Sequence, residues 1–123
     1  MNDITEYCAK KAGARLEFPF GLIPICFKVG SRLFIEINPK ENDLSITVRC
    51  DPVLAEAYRQ QYPGVVKVGY HCPARQKPFK NTVSLNKGLP DGFVYRMIDH
   101  SYDEAVKRLK KEERERLEGG TEP

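Results

Sequence analysis

Two groups of residues in this chain have types and spacings that could do chemistry. The first is cationic: Lys67, His71, Arg75, Lys77, Lys80 and Lys87 follow one another closely, with Phe79 among them. Ammonium and guanidinium groups attract phosphates without regard to base sequence, and counterion release makes that attraction fall with salt. An arginine at a hairpin tip can enter a narrow minor groove, and a phenylalanine ring can stack on an unpaired base. Arg32, in the turn Gly30-Ser31-Arg32, would add a second cationic loop. The same charges also suit a loop that simply stays solvated. The second group is Tyr70-His71-Cys72 with His100, whose types fit a metal site or a thiolate–imidazole pair. The chain has only 2 histidines, and no third ligand stands at a recognisable spacing. Asp99-His100-Ser101 contains the letters of a catalytic triad, but adjacent residues cannot converge on one atom, and Ser101 reads better as a helix cap. No G-x-G-x-x-G or G-x-x-x-x-G-K phosphate loop occurs. The residues therefore predict a protein that is not an enzyme, with no catalytic residue, no metal and no cofactor.

Composition sets the frame for these groups. With 123 residues the chain is most simply one domain, spanning residues 1–118 with a disordered tail at 119–123. A domain of this size buries roughly two-thirds of its unfolded surface, enough for a core without disulfides or metal. The net charge of +3 and pI near 8.7 permit phosphate contact but are mild for a nucleic-acid domain. No apolar run approaches the ~20 residues that span a bilayer, and the N-terminus lacks a signal layout. A cytoplasmic location is the expectation. Cys8, Cys26, Cys50 and Cys72 contain no C-x-x-C pair, which argues against a zinc knuckle.

The elements that must position the cations follow from periodicity. Asp3 with Glu6 resembles a capping box, and Ile4, Tyr7, Cys8 and Ala12 repeat at helical spacing up to Gly13. Three strands are predicted next, around Ile25–Val29, Leu33–Ile37 and Leu44–Cys50. In the second of these, Leu33, Ile35 and Ile37 alternate with Phe34 and Glu36. Asp51-Pro52 starts a helix, with Leu54, Ala57, Tyr58 and Tyr62 as its buried stripe, and Pro63-Gly64 ends it. Val66, Val68 and Tyr70 mark a fourth strand, and Val83 and Leu85 a fifth. Pro90-Asp91 opens the last helical region, with a break predicted near His100 because Ser101 and Glu104 form another capping box. Lys110 to Glu118 is almost all charged, as a solvated helical extension or frayed coil.

The predicted order is α-β(3)-α-β(2)-α: an α+β, two-layer domain whose antiparallel sheet is covered on one face by helices. The other face would expose Lys28, Glu36, Ser45, Thr47, Arg49, Lys67, Thr82 and Ser84.

Phe18-Pro19-Phe20-Gly21, Phe27-Lys28-Val29-Gly30, Cys50-Asp51-Pro52, Tyr62-Pro63-Gly64-Val65, Gly69-Tyr70-His71, Asn81-Thr82-Val83, Leu89-Pro90-Asp91 and Ile98-Asp99-His100-Ser101-Tyr102 stand in a specific order. With that ordered set, over about residues 3–110, the chain resembles the MmcQ/YjbR family of small bacterial domains. The resemblance implies the same element order, in an arrangement similar to secretion chaperones and also called a double wing. It implies DNA binding and no catalytic residues. One departure concerns the loop. Family members commonly have a short link after Tyr-His that ends in His-Trp-Asn-Thr. Here Cys72 to Lys80 forms a longer, more basic link, the chain has 0 tryptophans, and Phe79 or Lys80 stands near the position of that Trp.

Two functions of different classes are expected. One is a DNA-binding module that sets a basic β-hairpin wing against the phosphate backbone. The other is a protein-interaction or chaperone-like module that pairs through a sheet edge as a homodimer and ignores nucleic acid.

Overall fold

A computed structural model describes residues 2–40, 43–69 and 72–119. In chain order the elements are α1 (Asn2–Ala9), β1 (Ala14–Glu17), β2 (Ile25–Val29), β3 (Arg32–Lys40), β4 (Asp43–Arg49), α2 (Pro52–Gln61), β5 (Val66–Val68), a 3₁₀ helix (Ala74–Phe79), β6 (Lys80–Ser84), α3 (Asp91–Lys107) and α4 (Lys111–Gly119). The strands form one antiparallel sheet in the order β1-β2-β3-β4-β6-β5. Its apolar face packs on the helices, so the fold is α+β in two layers, as the patterning requires.

One strand more is present than the sequence reading supplies. β1 pairs in register with β2 from Ala14↔Val29 to Glu17↔Cys26. It is an edge strand whose Leu16 stays 50% exposed, so no burial alternation marks it in the sequence. Gly13, at φ 74, turns the chain from α1 into it.

The core draws Phe27, Val29, Phe34, Ile35, Ile37, Ile46, Val48 and Val83 from the strands, and Ile4, Cys8, Phe93, Met97 and Ile98 from the helices. Phe34 corrects the expected alternation. The β2–β3 register shifts between Phe27 and Lys28, so Phe27 faces Ile35 while Lys28 faces Leu33. Phe34 is the extra residue of a β-bulge, and both Phe34 and Ile35 turn to the helices. Phe34 is 1% exposed and meets the Tyr102 ring edge-on at 5.3 Å.

α3 runs unbroken through His100, against the predicted break. Ser101 is not a cap. The β3–β4 ladder ends at Ile35↔Val48, and the Ser101 hydroxyl bridges the next two backbone groups. It donates to the Phe34 carbonyl at 2.5 Å and accepts from the Arg49 N–H at 2.8 Å. A buried hydroxyl thus satisfies groups that the bulge would leave unpaired. Asp99 and His100 also hold structure. Asp99 accepts from Tyr7 at 2.6 Å and Lys11 at 2.5 Å, tying α3 to α1. Burial works against the Asp99 carboxylate, but these two bonds outweigh it and hold its pKa below the ordinary value. Its bond to Asp99, then burial, pushes the Tyr7 hydroxyl up to about 12. His100 Nε2 accepts the Asp51 N–H at 3.1 Å.

α2 begins as expected. The Asp51 carboxylate accepts from the N–H groups of Val53 and Leu54, a cap worth ~1 kcal/mol. Its buried stripe is rotated from the predicted one: Ala55 is fully buried and Ala57 is exposed. The partner that sets this rotation is Asn81, 1% exposed on β6, which accepts from Arg59 at 2.6 Å and donates to the Ala55 carbonyl at 3.3 Å.

Candidate functional site

The second face of the sheet carries the polar residues. Strand register sets Glu17, Cys26, Glu36, Thr47, Thr82 and Lys67 in one row across all six strands. Thr47 and Thr82 join their hydroxyls at 2.8 Å. The face is not open, which corrects the expectation of full exposure: Ser45 and Ser84 are 7% and 9% exposed. Phe20 and Pro24 from the β1–β2 connection, with Cys72, Pro73 and Gln76 from the segment before β6, roof part of it. Between roof and sheet lies a cleft of about 510 Å³ floored by Leu33, Glu36, Asn38, Thr47 and Lys80.

Two opposite charges share this floor. Burial raises the Glu36 pKa, and the nearby Lys80 charge opposes that rise. Burial lowers the Lys80 pKa; Glu36 opposes the fall, while Arg49 and Arg108 add to it. No hydrogen bond or ion pair joins Glu36 to Lys80.

Beyond Lys80, at the end of the sheet where β4 and β6 meet, cations gather. Arg49 pairs with Lys80 across the two strands. Its guanidinium lies 4.9 Å over the Phe79 ring, and its buried Nε has no acceptor. Burial and then Arg108 lower the Arg49 pKa, against Glu104. Burial and then Arg32 lower that of Arg108. Arg32, Arg49, Lys80 and Arg108 therefore feel one another's fields. Among the described residues none of the four is in an ion pair.

The predicted cations do not form the extended hairpin tip that the sequence suggests. The chain between β5 and β6 folds back as the 3₁₀ helix, with the Gln76 N–H on the Pro73 carbonyl. Gly69 N–H binds the Lys80 carbonyl and Cys50 N–H binds the Phe79 carbonyl, which clamps the segment to strands on both sides. A Cβ on Gly69 would stand 2.8 Å from that of Lys80, so this close approach requires glycine. Arg75 and Lys77 project from the 3₁₀ helix and are exposed. Lys80 is turned half-buried into the cleft, and Phe79 lies under Arg49. Lys67 is exposed on the edge strand β5. Lys87 is exposed beyond the opposite end of β6. His71 lies outside the described residues, as does Tyr70. Arg32 stands at a turn held by the end of α3 and by α4: Arg32 Nε donates to the carbonyl of Arg108, the C-cap of α3, at 3.3 Å, and Ser31 donates to Glu113 of α4 at 2.9 Å. The structure thus brings Arg32 and Lys80 into the field of Arg49 and Arg108, with Phe79 under Arg49, sets Arg75 and Lys77 exposed on the 3₁₀ helix that leads into β6, and leaves Lys87 apart.

The family model described as YjbR matches residues 9–104. The chain belongs to the YjbR family. The chain is 32% identical over 119 residues to the uncharacterised protein YjbR of Escherichia coli K12, covering 95% of this chain and 96% of that protein. The fold is similar to the crystal structure of Deinococcus radiodurans protein DR2400, with its DUF419 domain, at TM-score 0.85 and 26% identity over 99% of this chain and 94% of that one. A Pseudomonas syringae protein shares the fold at TM-score 0.69 and 20% identity, covering 85% of this chain and 97% of that one.

In this YjbR-family chain, sequence reasoning missed Arg49 and Arg108 as site residues and the pairing of Glu36 with Lys80 in one cleft. Arg49 carried a signal, since β4 alternation sets it on the polar face. Arg108 carried none, because only the packing of α3 brings its end to the sheet. Among the described residues no group of three or more His, Cys, Asp or Glu could hold a metal ion. No helix among them is long and apolar enough to cross a membrane.

Proposed function

We propose that this protein is a DNA-binding module that holds the phosphate backbone against the cationic end of its sheet. One observation carries it: among the described residues Arg32, Arg49, Lys80 and Arg108 converge there without ion pairs, and the 3₁₀ helix that leads into Lys80 carries exposed Arg75 and Lys77. Cations in each other's field, offset only in part by Glu104 and Glu36, destabilise a fold, and an incoming polyanion relieves that repulsion. The 3₁₀ segment and the Arg32 turn flank this end as two wings of unequal exposure. Side chains reach backbone phosphates there, and no motif reads bases. A cytoplasmic location suits this role, since Cys8, Cys26, Cys50 and Cys72 are all free thiols.

Fluorescence anisotropy with a labelled duplex of arbitrary sequence tests it. Replacing Arg75 and Lys77 together by alanine weakens binding at least tenfold, while Lys87→Ala changes it less than twofold. Equal effects of the two, or no binding at low salt, would remove this function.

A second reading has its own observation. Leu16, Phe18, Phe20, Leu22 and Ile23 are 48–84% exposed along the edge strand β1 and the loop after it. An apolar run on an unpaired edge favours pairing with a second copy or another protein. Sedimentation velocity on the wild type and on Leu22→Glu separates the cases: a dimer that the substitution dissolves supports it, and a monomer in both removes it.

A further inference from the structure

The cleft on the polar face has walls that phosphate binding does not use. Its volume of about 510 Å³ lies within the ~300–1,000 Å³ of small-ligand pockets. Its roof is largely apolar, from Phe20, Pro24 and Pro73, and Leu33 extends that surface onto the floor. The remaining floor is charged at two points. Glu36 on β3 and Lys80 on β6 are separated by β4, which sets their strands ~10 Å apart at ordinary strand spacing. They feel each other's charge without touching. Asn38, two residues from Glu36 on β3, has a buried Oδ1 with no donor, an acceptor on the acidic side of the same cleft. A molecule that carries both an ammonium and a carboxylate on an apolar body complements all these features. A plain polyanion does not, because Glu36 repels it.

We propose that this cleft binds an amphipathic zwitterion, a free apolar amino acid or a short apolar peptide, its ammonium on Glu36, its carboxylate on Lys80 and its apolar body under Phe20 and Pro24. Burial disfavours the charged forms of both side chains, and the fold recovers no direct ion pair between them. Perturbed groups of opposite sign in one cleft are candidates for a binding site, and here the cleft's shape and lining are the geometric ground. This site shares Lys80 with the proposed phosphate surface, but it also needs Glu36, which that surface does not use.

Calorimetric titration of the full chain with L-phenylalanine and with L-phenylalanyl-L-leucine tests it, each compared with its N-acetyl and its C-terminal amide derivative. At least one zwitterion binds saturably, and blocking either end weakens it tenfold or more. Binding of the amino acid alone identifies that source; binding of the dipeptide identifies the peptide. Glu36→Gln weakens the zwitterion at least tenfold yet leaves duplex binding intact or stronger, while Lys77→Ala leaves the zwitterion unchanged. Thermal unfolding of Glu36→Gln checks that it is folded. Absence of saturable heat with both zwitterions would overturn the proposal, as would equal binding by Glu36→Gln or by the blocked derivatives. Because only the duplex titration depends on Arg75 and Lys77, failure of either function leaves the other measurable.

Discussion

The two faces of the sheet are built on opposite terms. On the helix-covered face, buried polar groups have partners: Ser101 bridges two strands and Asn81 holds α2. On the other face Glu36 and Lys80 are desolvated without a direct bond, and Asn38 Oδ1 and Arg49 Nε are buried without partners. The first face is where folding gains free energy. The second holds groups whose burial costs stability, as binding sites do. The contrast teaches which substitutions belong to stability and which to function.

The sharpest way to break the contrast is at Phe34. Phe34→Ala removes a fully buried ring from the helix side of the bulge and lowers unfolding free energy by ~3–5 kcal/mol in a denaturant titration. A cost under ~1 kcal/mol would mean that this face is not the core. Ser101→Ala comes next, at ~1–3 kcal/mol, because it strands the Phe34 carbonyl and the Arg49 N–H. Were Ser101 a helix cap instead, Thr would replace it well; on α3 at 0% exposure, with its hydroxyl packed onto the backbone of β3 and β4, it does not tolerate the extra methyl. Asp51→Ala costs ~1 kcal/mol through the lost cap of α2, read in the same titration.

The polar face predicts the reverse sign. Because the Glu36 pKa is raised in the fold, its ionised form opposes folding at pH above the ordinary value of 4.5. Below that value the carboxyl is protonated in both folded and unfolded chains, and the opposition disappears. Glu36→Gln therefore raises Tm at pH 7, and the gain fades as pH falls to 3. A loss of Tm at pH 7 would show that Glu36 stabilises the fold and that the two faces do not differ in kind.

Much of the helix side was legible beforehand. The period of two in Leu44, Ile46 and Val48 and the Asp51-Pro52 start need only local rules, and both stand as read. What failed depended on contacts distant in sequence. Leu33 and Phe34 are both apolar, so nothing local says which one a bulge turns inward. Ser101 and Glu104 have the spacing of a cap, yet α3 continues because the sheet needs the hydroxyl more. On the polar side the cations were visible but not their destinations. Lys80 and Lys77 look alike in sequence; register turns one into the cleft and the 3₁₀ helix turns the other outward. Arg108 joins the cluster only through the docking of α3, and the roof over Glu36 comes from two loops that no periodicity predicts.

The most direct measurement of the central claim is the salt dependence of duplex binding. For about four phosphates engaged, the slope of log Kobs against log[salt] is about −3.6, so raising salt from 50 to 200 mM weakens binding ~10²-fold. The Arg75→Ala/Lys77→Ala variant flattens the slope by about 2, and Lys87→Ala leaves it unchanged. A slope near zero, or one that Lys87→Ala flattens as much as the pair does, would contradict a binding surface at this end of the sheet.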